Sequence, residues 1–131
     1  MPPYLEAFFY FSNCQKQITM ETITWNDFEK VEMRIGTIIE VNDFPKAKKP
    51  AYQLIIDFGA EIGIKKSSAQ ITTRYQKEAL IGKQIVAVVN FPVKQIGNFM
   101  SECLVLGSVG KENDIVLLSS DLSVANGLRI G

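Results

Sequence analysis

The chain has 131 residues, 47% hydrophobic and 21% charged, with fourteen basic residues balanced by fourteen acidic ones. This composition fits one soluble globular domain long enough to bury a core, and it excludes intrinsic disorder. No apolar run approaches the roughly eighteen residues of a membrane span, Cys14 and Cys103 are too few for a disulfide framework or zinc site, and histidine is absent, which removes the commonest general base and metal ligand.

The expectation is therefore a non-catalytic protein with no cofactor, no metal and no membrane insertion. The zero net charge hides an uneven distribution. Between Phe44 and Ser101 stand nine basic residues (Lys46, Lys48, Lys49, Lys65, Lys66, Arg74, Lys77, Lys83, Lys94) against three acidic ones (Asp57, Glu61, Glu78). The remainder holds the other five basic and eleven acidic residues. Such a chain can turn one positive face to an anionic ligand. A chance cluster of solvated charges gives the same count, so composition leaves both readings open.

Residues 1–19, MPPYLEAFFYFSNCQKQIT, differ in character from the rest of the chain. Glu6 precedes the aromatic patch, no positive charge does, and no small-residue cleavage site comes after it, which argues against a secretory signal. METITWNDFEKVEMRIG reads like a natural start at Met20, so 1–19 is expected to be an extension and 20–131 the domain. An apolar arm docking on the core or on a partner is the alternative.

Thr24 followed by Asp27 has capping-box spacing for a short helix with Trp25 and Phe28 on one side. MRIGTIIEV alternates as a strand, with Met33, Ile35, Thr37, Ile39 and Val41 on one face. The Pro- and Lys-rich loop FPKAKKPA ends it. YQLIIDF is a second strand, and GAEIG leads tightly to a third, IGIKKSSAQI. TTRYQKEALIG is one short helix, capped by Thr72 or Thr73 and stopped by Gly82. KQIVAVVNF is a buried fourth strand. SECLVLGSV and DIVLLSS, on either side of the turn GKEND, are a fifth and a sixth. Three strands, one helix, then more strands is the order of an OB-fold, a mainly β Greek-key barrel that binds oligonucleotides on one face and its adjoining loops. A generic β-sandwich would not need that helix.

VEMRIGTIIEV, LIIDFGAEIGIKKSSAQIT, VAVVNFP and SECLVLG together resemble the tRNA-binding domain family, in particular its free-standing export-chaperone branch. In the family pattern Asn, an apolar residue and Pro precede basic residues and a Ser, matched here by Asn90, Phe91, Pro92, Lys94 and Ser101. Cys103 and Leu104 stand where many relatives have Gly and Met. The resemblance implies an OB-fold, binding of tRNA or another structured RNA, a cytoplasmic location, and a homodimer with terminal segments in its interface. It also implies an alternative, chaperone-like binding of unfolded or exported polypeptides.

The residues offer chemistry for either ligand. On a strand, Lys65 and Ser67 share one face, a cation beside a hydroxyl that suits a phosphate, with Ser68 turned toward the core. Lysines that only guard an edge strand read the same way, and a Ser–Lys catalytic dyad lacks any accompanying hydrolase motif. In NFPVKQIGNFMSECLVLG, whose middle is a polar, flexible loop, Asn90 can read a base edge or tie down the turn begun by Pro92. Lys94 supplies a mobile charge and Ser101 a hydroxyl. Phe91 and Phe99 can stack bases, although core is the reading for Phe91. Gly97 allows close backbone approach or serves the turn. Arg34 either looks onto the binding surface or pairs with Glu32, and Lys46, Lys48 and Lys49 add nonspecific attraction. For a polypeptide, Phe44, Phe99 and Met100 are the candidate apolar patch.

Overall fold

The computed structural model describes residues 18–131, so the expected extension 1–19 lies almost wholly outside the described residues. The first element is the helix α1 (Trp25–Glu29), closed by the capping box that its spacing implies. Thr24 Oγ1 accepts the Asp27 N–H at 3.0 Å, and the Asp27 carboxylate accepts the Thr24 N–H at 3.0 Å.

The strands then run β1 (Met33–Asp43), β2 (Tyr52–Asp57), β3 (Ile64–Ala69), β4 (Gln84–Val88), β5 (Lys94–Ile96), β6 (Phe99–Ser101), β7 (Leu104–Val105), β8 (Gly107–Val109) and β9 (Ile115–Leu117), with the helix α2 (Lys77–Leu80) between β3 and β4. Antiparallel pairing gives a five-stranded sheet ordered β3-β2-β1-β4-β7. It curls until β3 approaches the chain around Glu102, making a nearly closed barrel of the expected OB-fold class. Inside lie Ile38, Leu54, Ile56, Phe58, Leu80 and Ile85, all fully buried.

Three local expectations are corrected. The register of β1 on β2 shifts between Ile38 and Glu40, a bulge that breaks strict alternation. Gly36 and Ile38 take the inner face, Ile39 points outward, 44% exposed, and the bulge brings Val41 rather than Glu40 back inside. The α2 helix is shorter than TTRYQKEALIG suggests, with Gln76 rather than Thr72 or Thr73 at its N-cap. Tyr75 has other partners: its carbonyl accepts the Tyr52 hydroxyl at 2.7 Å, and its own hydroxyl accepts the Leu117 N–H at 3.0 Å. Gly82 does stop the helix, at φ 89°. The expected fifth strand is divided among β6, β7 and β8, and β8 pairs with β9 as a separate two-stranded ribbon.

The C-terminal residues complete β1. Where β2 ends, Ile35 N–H donates to Leu128 O at 3.0 Å, Gly127 N–H to Ile35 O at 2.7 Å and Ile130 N–H to Met33 O at 2.9 Å. Thr37 and Gln84 hold the approach to this stretch through Asn126 and Val124. An edge that would otherwise expose unpaired backbone is thus covered.

Gly36 lies on the inner face of β1, where an added Cβ would stand 2.7 Å from both Ile56 and the Phe58 ring. Both neighbours are fully buried and have nowhere to move. Gly36→Ala is expected to destabilise the fold by about 1–3 kcal/mol through overpacking. Urea unfolding with an unchanged midpoint would show that the barrel can relax around the methyl group.

Candidate nucleic-acid interface

The segment from Asn90 to the predicted fifth strand at Ser101, expected as a flexible loop, is largely structured. Lys94 pairs with Ser101, Gln95 with Met100 and Ile96 with Phe99, so β5 and β6 form a hairpin. Gly97, at φ 62°, takes the first central position of its two-residue turn, a conformation that favours glycine. Phe44 and Phe99 lie beneath the hairpin, only 5% and 8% exposed, with ring centroids 5.4 Å apart. Together with Ala51 they form a small second core that fastens the hairpin to the loop after β1.

Between that loop, the hairpin and the β7–β8 region opens a cleft of about 1120 Å³. Lys46, Lys48, Lys49 and Lys94 line it, and none of its lining residues is acidic. All four lysines are exposed, and among the described residues none of them forms an ion pair. Two of the other five basic residues of the middle segment are neutralised elsewhere. Arg74 forks onto Asp114, with Nη2 2.8 Å from Oδ2, and holds that carboxyl below its ordinary range. Lys77 Nζ lies 2.9 Å from Asp43. The chain's local charge surplus thus becomes a cationic cleft with a floor of Ala51, Ile71, Val105 and Leu117.

The expected site residues divide. Lys94 and Ser101 line the cleft. Ser67 is corrected: it is 1% exposed, and its hydroxyl donates to Cys103 O at 2.8 Å. In the β2–β3 register Ser67 lies opposite Leu54 and Lys65 opposite Ile56, both core residues. The pair therefore shares the inner face, and Lys65 is not among the residues lining the cleft. The strand alternates as its sequence implies, with the inner and outer sides exchanged. Ser68, expected near the core, lines the cleft, and Lys66 Nζ sits 5.4 Å from the centre of the Phe99 ring.

Arg34 takes the ion-pair alternative. Its Nη2 is 2.9 Å from Glu32 Oε1, its Nη1 donates to Gly127 O at 2.9 Å, and the bond from Arg34 holds the Glu32 carboxyl below its usual range. Asn90 is also occupied: Oδ1 accepts the Glu32 N–H at 3.1 Å and Nδ2 donates to Lys30 O at 2.7 Å. It ties down the α1–β1 connection rather than the turn at Pro92.

One aromatic reading is corrected as well. Phe99, open to stacking by its sequence, is core, whereas Phe91, expected in the core, is 54% exposed and lines the cleft. Phe44 and Phe99 consequently cannot form an exposed patch for polypeptides; of that trio only Met100 is exposed, at 41%. β4, which buries Ile85 to Val88 in succession, ends at Val88, so that burial does not extend to Phe91. Pro92, immediately after Phe91, is the sequence signal for this break.

The seam of the barrel lies directly beside the cleft. Glu102 N–H donates to Lys66 O at 2.7 Å, and the Lys66 N–H returns a bond to Glu102 Oε1 at 2.9 Å. Ser68 N–H donates to Ser101 Oγ at 3.3 Å. Burial pushes the Cys103 thiol up to about 11, so at neutral pH it is protonated and a poor nucleophile.

Comparison with known proteins agrees with this fold. Residues 33–129 match the family described as "Putative tRNA binding domain". The chain is 50% identical to the crystal structure of chaperone CsaA from Bacillus anthracis, with a TM-score of 0.81, covering 85% of this chain and 100% of that one. It is 53% identical to the CsaA chaperone protein of Picrophilus torridus, with a TM-score of 0.78, covering 84% and 100%. It is also 35% identical over 107 residues to a methionine–tRNA ligase of Methanococcus aeolicus, covering 82% of this chain and 16% of the ligase. Among the curated ligases matched, the one from Methanocaldococcus jannaschii is covered over 17% of its length, so the chain corresponds to one small part of those enzymes.

Ser67→Ala should cost about 1–3 kcal/mol, because it removes the close donor from a buried carbonyl. The cleft's affinity for polyphosphate should stay unchanged. A loss of affinity with unaltered stability would return Ser67 to the ligand face.

Proposed function

Because the chain belongs to the tRNA-binding domain family, we propose that it is a non-catalytic protein that binds tRNA or a similarly structured RNA through the cationic cleft. The single observation behind this reading is the convergence of Lys46, Lys48, Lys49 and Lys94 on one cleft without a carboxylate. Phosphates gain from such a surface by releasing condensed counterions, so affinity rises with each lysine engaged. Ser68, Ser101 and Gln95 add hydroxyl and amide groups at the same cleft, suited to directed hydrogen bonds with phosphate, ribose or base. A catalytic role has little support from a histidine-free chain whose described cysteine is buried and protonated.

The protein works as a homodimer in this reading. Ile23, Thr24, Trp25, Phe28 and Gly131 line a shallow recess where the first helix meets the C-terminus, and Trp25 is 69% exposed. A five-residue helix that buries none of its residues gains stability by covering its aromatic side. Two copies joined there would offer RNA two clefts. Polypeptide binding is the second reading, favoured by the exposed apolar side chains Phe91, Leu104 and Val109 in the same cleft and by the word chaperone in the names of the similar structures.

Two measurements test these readings. Changing the four cleft lysines together to Ala should weaken tRNA binding more than tenfold at low salt. It should also flatten the salt dependence by up to about one unit for each phosphate no longer neutralised. Changing Lys30 and Lys111, which lie outside the cleft, should do neither; equal effects from both sets would remove the cleft from the function. Salt-resistant binding to an unfolded polypeptide, without tRNA binding, would favour the second reading. For assembly, sedimentation should give twice the 14.7 kDa chain mass, falling toward a monomer in Trp25→Ala. A wild-type monomer at micromolar concentration would rule out the dimer.

A further inference from the structure

Phe91 is a large aromatic side chain, 54% exposed, within a lysine-lined cleft. The chain on both sides is held: the Asn90 side chain accepts a hydrogen bond from the Glu32 N–H and donates one to Lys30 O, and Pro92 restricts its own φ and the conformation of Phe91 before it. The ring is therefore held out toward the cleft by a backbone that loses little freedom when a ligand arrives. A rigid exposed aromatic among cations suits a flat, anion-bearing partner: the base stacks and the phosphate meets a lysine.

Size narrows the class further. At about 1120 Å³ the cleft lies just above the ~300–1,000 Å³ of pockets that engulf a drug-sized ligand. It has room for one or two nucleotides with their bases unstacked, whereas a paired helix, its bases covered on both faces, offers no free base face to Phe91. Gln95 and Ser68 at the same cleft can meet the edge of a base that has left its stack.

We infer that the cleft captures an unpaired nucleotide of the RNA, with its base stacked on Phe91 and its flanking phosphates held by Lys94 and the Lys46–Lys49 loop. This rests on the RNA reading above and adds to it a preference for single-stranded segments and one residue that creates the preference.

The test uses the full chain and three probes: an eight-nucleotide RNA of mixed sequence, the same strand annealed to its complement, and polyphosphate of matched charge. The wild type should bind the single strand at least about fivefold more tightly than the duplex. Phe91→Ala should weaken single-strand binding by about tenfold, the scale of one stacked base, and leave polyphosphate binding unchanged. Phe91→Tyr should retain single-strand binding, while Phe91→Leu, apolar but without a ring, should behave like Ala. Thermal melts of each variant check that this exposed position leaves the fold intact.

Salt-sensitive tRNA binding with Phe91→Ala equal to wild type on the single strand would overturn the stacking inference and leave the RNA reading standing. Equal losses on RNA and polyphosphate, or full retention by Phe91→Leu, would also overturn it, the ring then acting through cleft shape or apolar contact. If the wild type binds none of the three probes and no tRNA, both readings fall.

Discussion

The barrel depends on how β3 closes against the chain at residues 101–103. An edge strand must satisfy a row of N–H and C=O groups, and here the opposing segment is too short and irregular to do so with backbone alone. Side chains take the missing places. The Glu102 carboxylate accepts the Lys66 N–H, the Ser101 hydroxyl accepts the Ser68 N–H, and the Ser67 hydroxyl reaches the Cys103 carbonyl. Because these substitutes occupy the seam, the chain before them is free to leave the sheet as the β5–β6 hairpin. The cleft is the space between that hairpin, its supporting loop and the closed wall. Fold closure and candidate function therefore share one short segment.

Electrostatics follow from this arrangement. A neutral chain acquires a cationic surface when its carboxylates are used elsewhere, and the fold does this in a specific way. Glu32 is taken by Arg34 with Arg129 nearby, Asp114 by Arg74 and Asp43 by Lys77. These pairs are exposed enough that each adds little to stability. Neither these carboxylates nor any other described one lines the cleft, so the field there is set by cations over an apolar floor. Low-dielectric walls strengthen such a field for an approaching anion.

The hairpin is also supported from beneath. Phe44 and Phe99 pack against each other apart from the main core, and Lys66 lies over the Phe99 ring. This satellite core fixes the distance between the Lys46–Lys49 loop and β5, which is the width of the cleft. Aromatic residues suited to binding by their chemistry are here structural, and the aromatic residue left exposed is the one held by Asn90 and Pro92.

Much of the fold is legible along the chain, because local physics decides it. The capping box at Thr24, the alternating β strands, the glycine stop at position 82 and the order of strands around one helix all depend on neighbours a few residues apart. The surplus of lysine between Phe44 and Ser101 is legible too. Sides and partners are not. Whether Ser67 or Ser68 faces inward depends on which side of β3 meets the core once the sheet has curled, and the period of two is satisfied by either choice. Whether Arg34 and Asn90 meet a ligand or the protein depends on remote groups: Arg34 reaches Gly127, 93 positions away, and Asn90 reaches Lys30, 60 positions away. The placement of Phe91 at the surface and Phe99 in the core has the same origin. Sequence determined which groups this protein has and which local elements they form; tertiary closure decided which of those groups were consumed in building the barrel and which were left to face the cleft.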